Sequence, residues 1–247
     1  MKAIGIIPAR WHSERFEGKV LANLLGKPLV QHVWESAKQS RILEDVIIAT
    51  DSEDVIKAVK GFGGKAVYTS KDQPSGTDRI AEVINPIETE VVVNIQGDEP
   101  LVHYSMIDGL AGALLENSSV QMATVIKKIN DKAEFLNPSV VKVVVDKNGY
   151  ALYFSRSPIP YARGEEADGK LRHCYKHIGI YAYTKDFLFT YTNLPKSALE
   201  DTEKLEQLRV LENGYRIKTF ETEFDTIGVD TPEDLKKAEE ILKSLSF

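Results

Sequence analysis

Residues Val91–Pro100 read VVVNIQGDEP, an apolar run followed by a turn that carries two carboxylates. An apolar run that ends at Gly97 and Pro100 predicts a strand buried on both faces, as in a parallel sheet. The turn places Asp98 and Glu99 beyond the carboxyl end of that strand, where ligands bind in open α/β sheets. A carboxylate there is well placed to hold Mg²⁺ against a phosphate. The alternative is the commoner one, in which both acids are only polar turn residues.

Length and composition limit the class of protein. The chain has 247 residues, 43% hydrophobic and 28% charged, which suits one large α/β domain with an inserted lobe. Its formal net charge of −6 argues against a general nucleic-acid binder. The single cysteine allows neither an intrachain disulfide nor a thiolate zinc site. Apolar stretches are too short for a membrane span or a signal peptide, so we expect a cytoplasmic protein without membrane insertion.

A basic loop follows the first predicted strand, Lys2–Pro8. It carries Arg10, Arg15 and Lys19, with a glycine before the lysine. Arginine offers planar donors to phosphate oxygens, lysine offers a movable charge, and glycine lets the backbone approach a ligand. Neither the P-loop spacing nor the dinucleotide-binding glycine pattern is present. A solvated basic loop is the alternative, but the position directly after a strand favours phosphate binding.

The first half of the chain alternates between strands and helices. Short connections between them predict a Rossmann-like, mainly parallel central sheet with flanking helices. The turn Gln73–Arg79 (QPSGTDR) offers small hydroxyls and bare backbone, which suit the polar edge of a base. The alternative is a capping turn in which Thr77 or Asp78 caps the next helix, and the two interpretations are compatible. The other predicted elements are strands at Val46–Thr50 and Lys65–Thr69 and helices at Pro28–Ser40 (with Pro28 in its first turn), Ser52–Lys60 and about Tyr104–Glu116.

After residue 120 the pattern becomes rich in β-branched and aromatic residues. Val140–Asp146 and Tyr150–Ser155 are joined by an Asn-Gly turn, which predicts a hairpin. A polar loop is expected at Ala162–Arg172. We expect residues 130–195 to form an antiparallel insertion within a single domain spanning residues 1–247. The insertion would supply a second substrate wall, a subunit contact, or both.

Two further stretches carry polar side chains. The alternation in Lys176–Tyr183 (KHIGIYAY) predicts a strand with a polar face that would suit a pocket; this face carries His177, Gly179, Tyr181 and Tyr183. A histidine there is more often structural. Thr202–Asn213 predicts one continuous helix whose off-stripe polar residues are solvated by default.

The last predicted helix follows residue 230. Thr231 is expected as its N-cap, Pro232 in its first turn and Leu235, Ala238, Ile241, Leu242 and Leu245 on its packed face. Asp230 lies just before this cap and is the best second carboxylate for a cation at Asp98. Asp225 is a weaker candidate.

Seven motifs are spread along nearly the whole chain: Ile7–Arg10 (IPAR), Gln73–Arg79 (QPSGTDR), Asn94–Pro100 (NIQGDEP), Tyr153–Pro160 (YFSRSPIP), Lys176–Tyr183 (KHIGIYAY), Leu205–Leu211 (LEQLRVL) and Gly228–Leu235 (GVDTPEDL). Each is weak alone, but the ordered set is specific. Together they resemble the cytidylyltransferases that activate acidic sugars, in the branch that acts on 3-deoxy-manno-octulosonate (Kdo). Phe16, Glu17 and Val20 depart from that family, which usually has Leu-Pro and Pro at these positions.

The resemblance implies a fold of the nucleotide-diphospho-sugar transferase type and a Mg²⁺-dependent homodimer. It implies transfer of CMP from CTP to Kdo, with release of pyrophosphate, on the route to lipopolysaccharide. The implied catalytic residues are Arg10, Arg15, Lys19, Asp98 and Asp230, the last two as metal ligands. The implied nucleotide-binding residues are Arg10, Ser13, Arg15, Lys19, Ser75, Gly76, Thr77 and Gln96. The implied sugar-binding residues are Gln96, Arg156, His177, Tyr181, Glu206 and Gln207.

Two rival functions stay open. The first is a cytidylyltransferase for another acidic sugar, such as a sialic acid or 8-amino-Kdo. The second is a non-catalytic nucleotide-binding regulatory protein. Retention of Asp98, Asp230 and the three loop cations argues against the second, because such a protein needs no metal pair.

Overall fold

The computed structural model describes residues 2–13, 15–161, 163 and 171–245. The strands are β1 (Ala3–Pro8), β2 (Asn23–Leu24), β3 (Lys27–Pro28), β4 (Leu43–Thr50), β5 (Lys65–Tyr68), β6 (Val91–Asn94), β7 (Met122–Lys128), β8 (Lys142–Val145), β9 (Ala151–Ser155), β10 (Tyr175–Thr184) and β11 (Lys218–Glu221). The helices are α1 (Leu29–Ala37), α2 (Glu53–Gly61), α3 (Gly76–Ile84), α4 (Tyr104–Leu115), α5 (Lys132–Leu136), α6 (Lys185–Asn193), α7 (Ala198–Glu203), α8 (Leu208–Glu212) and α9 (Pro232–Leu245), with a 3₁₀ turn at Lys19–Leu21. In this part of the chain, every helix is too short or too polar to cross a bilayer.

The central sheet has the strand order β11-β7-β10-β6-β1-β4-β5. Parallel pairing joins β6, β1, β4 and β5, and β11 lies parallel to β7. Strand β10 runs antiparallel between β6 and β7, and the hairpin β8–β9 extends from it. The predicted α/β fold, a mainly parallel central sheet flanked by helices with antiparallel strands added, is confirmed.

Strand β6 is buried on both faces, as its apolar run predicts. Val92 packs into the core formed with α3 and α6, whereas Val91, Val93 and Ile95 pack into the opposite core, formed with α1, α2 and α4. Successive side chains therefore alternate across the sheet. Burying a valine or isoleucine contributes about 1.5–3 kcal/mol, so this strand anchors the turn that follows it.

The stretch 130–195 supplies α5, β8, β9, β10 and α6. Its hairpin turns at the predicted Asn-Gly pair, where the Asp146 carboxylate accepts hydrogen bonds from the backbone N–H of Asn148 and of Tyr150, both at 2.8 Å. Gly149 adopts a φ of 72°, the left-handed conformation that favours glycine. The predicted loop Ala162–Arg172 lies largely outside the described residues. The roles of this stretch as a substrate wall and a subunit contact stay predictions.

The predicted helix Thr202–Asn213 is wrong. The chain forms two short helices, α7 and α8, because Lys204 takes a left-handed conformation with a φ of 55° and ends α7. An ion pair between Arg209 and Glu200, with N–O distances of 2.5 and 2.7 Å, ties the two helices together. Glu206 and Gln207 consequently lie in the bend rather than on a helix face.

Several smaller predictions about helix ends also need correction. Ser75, and not Thr77 or Asp78, caps α3, since its hydroxyl accepts the backbone N–H of Asp78 at 3.1 Å. Pro28 precedes α1 rather than occupying its first turn. In α9, Ile241 is 38% exposed rather than packed. The cap of α9 at Thr231 is as predicted, since its hydroxyl accepts the backbone N–H of Asp234, whose carboxylate in turn accepts the backbone N–H of Thr231.

Candidate active site

The turn after β6 lies directly against the end of β1. A Cβ at Gly97 would lie 2.7 Å from the carbonyl oxygen of Pro8, so only glycine fits this close approach. The backbone N–H of Ile95 donates to the Ile6 carbonyl at 2.9 Å, which continues the parallel ladder to this point. As a result, Asp98 projects beside the basic loop that follows β1.

Three predicted catalytic residues meet at one point. The Lys19 ammonium donates to Asp98 Oδ2 at 2.5 Å and to Asp230 Oδ1 at 2.9 Å. Arg15 pairs with the other oxygen of Asp230 at 2.8 Å, although its side chain is largely exposed. Burial alone would lower the pKa of Lys19, but the attraction of both carboxylates outweighs it and the net shift is upward. The two acids and their cation form the centre of the site.

The donor set at this centre suits a hard cation. Asp98 and Asp230 already share one positive group, the Lys19 ammonium. Mg²⁺ typically takes one or two protein carboxylates and completes its shell with water and phosphate oxygens. In the described ranges, no group of three or more His, Cys, Asp or Glu side chains could hold a metal. The rival Asp225 lies elsewhere, bound to Lys127 at 2.9 Å and to Lys176 at 2.6 Å.

A pocket of about 250 Å³ opens beside this centre; we call it the basic pocket. Its lining includes Arg10, Ser13, Lys19, Gly76, Gln96 and Asp98. His12 also lines it, and the sequence carried no signal that singled it out. Ser75 is not part of the lining, because its hydroxyl is engaged with Asp78 at the helix cap.

Two charged residues that sequence reasoning missed support the basic loop. Asp51 accepts the backbone N–H of Trp11 at 3.0 Å and a hydrogen bond from Arg79 at 2.9 Å. Arg79 is fully buried and also contacts the hydroxyl of Thr69. Burial lowers the pKa of Arg79, and Asp51 partly compensates. The position of Asp51 at the end of β4 was the only available signal.

The departures from the family pattern leave this loop packed. Phe16 contacts the buried cluster of Leu29, Val229 and Ala238. Val20 is 3% exposed, whereas Glu17 lies exposed at the surface. The apolar substitutions therefore keep the loop attached to the body of the protein.

A larger cavity of about 650 Å³ adjoins the basic pocket, and we call it the polar cavity. The two share Gly76, Gln96 and Asp98. The predicted residues that line the polar cavity are Thr77, Gln96, Arg156, Tyr181, Glu206, Gln207 and Asp230. Gln96 is held by a hydrogen bond from its amide nitrogen to the Gly179 carbonyl at 3.1 Å.

His177 is the predicted sugar-binding residue that does not line the polar cavity. Its Nε2 lies 2.8 Å from the Thr124 hydroxyl, and its ring packs between Phe154 and Tyr181. Burial lowers the pKa of His177 to about 3, so the ring is neutral at physiological pH. It supports the wall behind Tyr181 and cannot be the cation for an acidic ligand.

Both positively and negatively charged side chains line the polar cavity. Arg156 and Lys204 supply the cations, and Lys204 is largely exposed beside Asp201. Glu206 is reached by solvent through the cavity mouth, yet surrounding protein raises the pKa of its carboxyl by desolvation. Arg156 is therefore the better placed partner for a bound carboxylate.

Other polar groups of the cavity were not among the predicted site residues. Tyr183 shares the strand face of Tyr181, which the alternation had indicated, and Tyr191 comes from α6, for which no signal existed. Burial raises the pKa of both tyrosines, so they stay protonated hydrogen-bond donors. Glu99 also lines the cavity; burial raises the pKa of its carboxyl to about 7.

This chain is similar to known cytidylyltransferases along nearly its whole length. A family model described as cytidylyltransferase matches residues 4–222. The 3-deoxy-manno-octulosonate cytidylyltransferase of Geobacter sulfurreducens is 51% identical, over 98% of this chain and 100% of that protein. The protein of the same name from Thermodesulfovibrio yellowstonii is 50% identical over 100% of both chains.

Solved structures agree with these relatives. The structure of CMP:2-keto-3-deoxy-manno-octonic acid synthetase complexed with CTP matches with a TM-score of 0.93 at 44% identity and covers 99% of both chains. An inositol-1-phosphate CTP transferase from T. maritima matches with a TM-score of 0.68 at 17% identity, over 97% of this chain and 94% of that one. The second likeness shows the fold alone.

Proposed function

The chain belongs to the cytidylyltransferase family, and on that premise we propose that it transfers CMP from CTP to the anomeric 2-hydroxyl of Kdo, releasing pyrophosphate. The observation that carries the proposal is the junction of the basic pocket and the polar cavity at Asp98. A nucleoside triphosphate in the first and a sugar acid in the second would bring the α-phosphorus and the hydroxyl together. The relatives that are about half identical to this chain bear the name of this reaction.

In the proposed reaction, the sugar hydroxyl oxygen attacks the α-phosphorus, the bond to the bridging oxygen of pyrophosphate breaks, and the hydroxyl proton passes to solvent. Arg10, Arg15 and Lys19 would bind the triphosphate and stabilise the negative charge that grows on the leaving group. Fixed donors of this kind are effective because they need no reorganisation during the reaction. Ser13 and the backbone at Gly76 would complete the nucleotide contacts.

Asp98 and Asp230 would hold Mg²⁺, a proposal supported by the cation, Lys19, that the two carboxylates already share. When bound there, Mg²⁺ would polarise the α-phosphate and orient the hydroxyl. Lys19, freed from the two carboxylates by that charge, would then be available to the phosphates.

The polar cavity would bind the sugar acid. Arg156 would pair with its carboxylate, and Glu206, Gln207 and the neutral tyrosines would bind its hydroxyls. Charged and amide groups at fixed positions discriminate well between sugars, since an unmatched hydroxyl leaves a buried polar group without a partner. We propose that the reaction takes place in the cytoplasm.

The test of the proposed function is pyrophosphate release from CTP and Mg²⁺ with Kdo, 8-amino-Kdo and N-acetylneuraminate supplied in parallel. We expect release with Kdo and little with the other two acids. Release with one of the others alone would keep the reaction and overturn the substrate. Tight CTP binding with no release for any acid would support the non-catalytic alternative.

We also propose a homodimer that forms through the hairpin β8–β9. Strand β9 pairs only with β8 among the described residues, and its Leu152 is 61% exposed. At its start this edge is occupied, since the Ala151 N–H donates to the Ile217 carbonyl at 2.9 Å. Beyond Ala151, an edge strand with an exposed leucine favours contact with a second copy. Sedimentation velocity should give a dimer for the wild type and a monomer for Leu152→Asp. Ile241→Asp, on exposed α9, should stay dimeric, and a monomeric wild type would contradict the proposal.

A further inference from the structure

The backbone of Arg156 is held by two charged side chains, those of Glu203 and Lys142, neither of which lines the polar cavity. We propose that Glu203 and Lys142 are positioning residues that orient Arg156 toward the carboxylate of the acid substrate. The inference rests on the proposed function, because it takes Arg156 as the group that binds that carboxylate. The inference is supported separately by hydrogen bonds to the backbone N–H, the backbone carbonyl and the guanidinium of Arg156.

Glu203 holds Arg156 through both its side chain and its backbone. Glu203 Oε2 accepts the backbone N–H of Arg156 at 2.9 Å, and the Glu203 carbonyl accepts Arg156 Nε–H at 2.9 Å. Glu203 Oε1 accepts the hydroxyl of the preceding Ser155 at 2.5 Å. Two successive residues of the strand end are thereby fixed to one carboxylate, which sets the direction in which the arginine leaves the backbone.

Lys142 holds the same residue from the opposite side. Its side chain is fully buried, and its Nζ donates to the carbonyl oxygens of Asn137 at 2.9 Å, Val140 at 2.6 Å and Arg156 at 2.6 Å. Arg156 Nη1 donates a hydrogen bond to the Pro138 carbonyl at 3.3 Å, and Pro138 lies between Asn137 and Val140 in the loop that Lys142 binds. Lys142 therefore fixes both the backbone of Arg156 and the loop that touches its guanidinium.

Burying a lysine ammonium costs free energy that an apolar side chain at the same position would not cost. In the described part of the chain, Lys142 forms no ion pair, and burial lowers its pKa. A buried ammonium is tolerated only when its donors are satisfied, as they are here by three carbonyls. An apolar residue would fill the space without that cost, which favours a role in fixing Arg156.

Glu203 also connects Arg156 with the opposite wall of the cavity. It is the last residue of α7 and is followed at once by Lys204, whose left-handed conformation creates the bend. Glu206 and Gln207 line the polar cavity from that bend. The carboxylate thus sets the distance between the arginine and the polar groups expected to bind the sugar hydroxyls.

The experiment compares matched variants in steady-state kinetics. Glu203→Ala and Lys142→Met should raise the KM for Kdo by about tenfold or more, the effect of one lost hydrogen bond to a charged group, with the KM for CTP unchanged. Glu203→Gln should behave like wild type, since its amide offers one acceptor to the Arg156 N–H and one donor to the Ser155 hydroxyl. Lys185→Met is the control, because Lys185 Nζ also bonds backbone carbonyls, those of Asn85 and Ile87, away from the site.

A double-mutant cycle separates positioning from general structural damage. In an Arg156→Ala background, Glu203→Ala should cause no further rise in the KM for Kdo, because residues that act through one group are not additive. Additive effects, or an equal rise in both KM values, would overturn the proposal.

A second readout does not depend on which acid is the substrate. The ¹⁵N–¹H signal of Arg156 Nε, assigned by its loss in Arg156→Lys, should be sharp and slow to exchange in the wild type, Glu203→Gln and Lys185→Met. It should broaden in Glu203→Ala and Lys142→Met. A sharp signal in those two variants would overturn the positioning role, whether or not Kdo is turned over. Absence of turnover with Kdo would by itself contradict only the proposed function.

Discussion

Asp98→Asn is expected to lower the rate of pyrophosphate release by about 10²–10³-fold, the scale of losing a charge-stabilising group in an active site. The amide keeps the size of the side chain but removes the charge that binds Lys19 and would bind Mg²⁺. The fold should be preserved, because it is the Asp98 backbone carbonyl that accepts the N–H of Val229, at 2.9 Å. The measurement is turnover at saturating CTP, Kdo and Mg²⁺, with the thermal unfolding midpoint as a check on folding.

Asp225→Asn is the matched control for this prediction. Asp225 is five residues before Asp230 in the sequence. Its carboxylate pairs with Lys127 and Lys176, whereas that of Asp230 pairs with Lys19. The control should keep most of its turnover while losing two surface ion pairs, each worth up to about 1 kcal/mol. Wild-type-like turnover in a folded Asp98→Asn protein would refute the metal-binding role.

The parts of the site that the sequence predicted lie on strongly patterned strands. The strand β6 could be predicted because a parallel strand that is buried on both faces has a nearly continuous apolar sequence. Once β1 and β6 are parallel neighbours, their carboxyl ends share an edge, and Arg10, Lys19 and Asp98 converge there. Asp230 could be added because its capped helix placed it on another such turn.

The bend between α7 and α8 could not be predicted in the same way. The leucine spacing is the same whether one helix or two short helices are present, so periodicity carries no information about the break. A left-handed lysine has no sequence signature, unlike a glycine at that position. The result matters for function, because the bend brings Glu206 and Gln207 into the polar cavity.

His177 shows a second limit of pattern reasoning. Alternation along β10 correctly placed Tyr181 and Tyr183 facing the cavity, and a register shift between Ile178 and Tyr181 leaves that alternation intact. The alternation does not show which residue of the neighbouring strand contacts His177. Thr124 on β7 contacts His177 and donates to the Ile180 carbonyl at 2.9 Å, which draws the imidazole into the wall.

Lys19→Met is expected to reduce turnover and at the same time to strengthen Mg²⁺ binding in the absence of CTP. The first effect, about 10²–10³-fold, follows from loss of a cation that would stabilise the leaving pyrophosphate. The second follows from the position of the ammonium, 2.5 Å from Asp98 and 2.9 Å from Asp230. Its raised pKa keeps it charged throughout the physiological pH range, so Mg²⁺ binding in the wild type would have to displace a cation.

Without Lys19, Asp98 and Asp230 lack the cation between them, and the only competitor of Mg²⁺ that stays paired with either carboxylate among the described residues is the largely exposed Arg15, beside Asp230. We therefore expect Lys19→Met to unfold at a lower temperature than wild type in chelator, and to regain more of its midpoint on adding Mg²⁺ than the wild type gains. Lys27→Met is the control, since Lys27 pairs with Glu35 at the surface, 2.7 Å away and outside the site. Equal Mg²⁺-induced shifts in all three proteins would contradict the competition. In that case the two carboxylates would have to act with Lys19 as their permanent partner, and the metal would have to bind through the nucleotide alone.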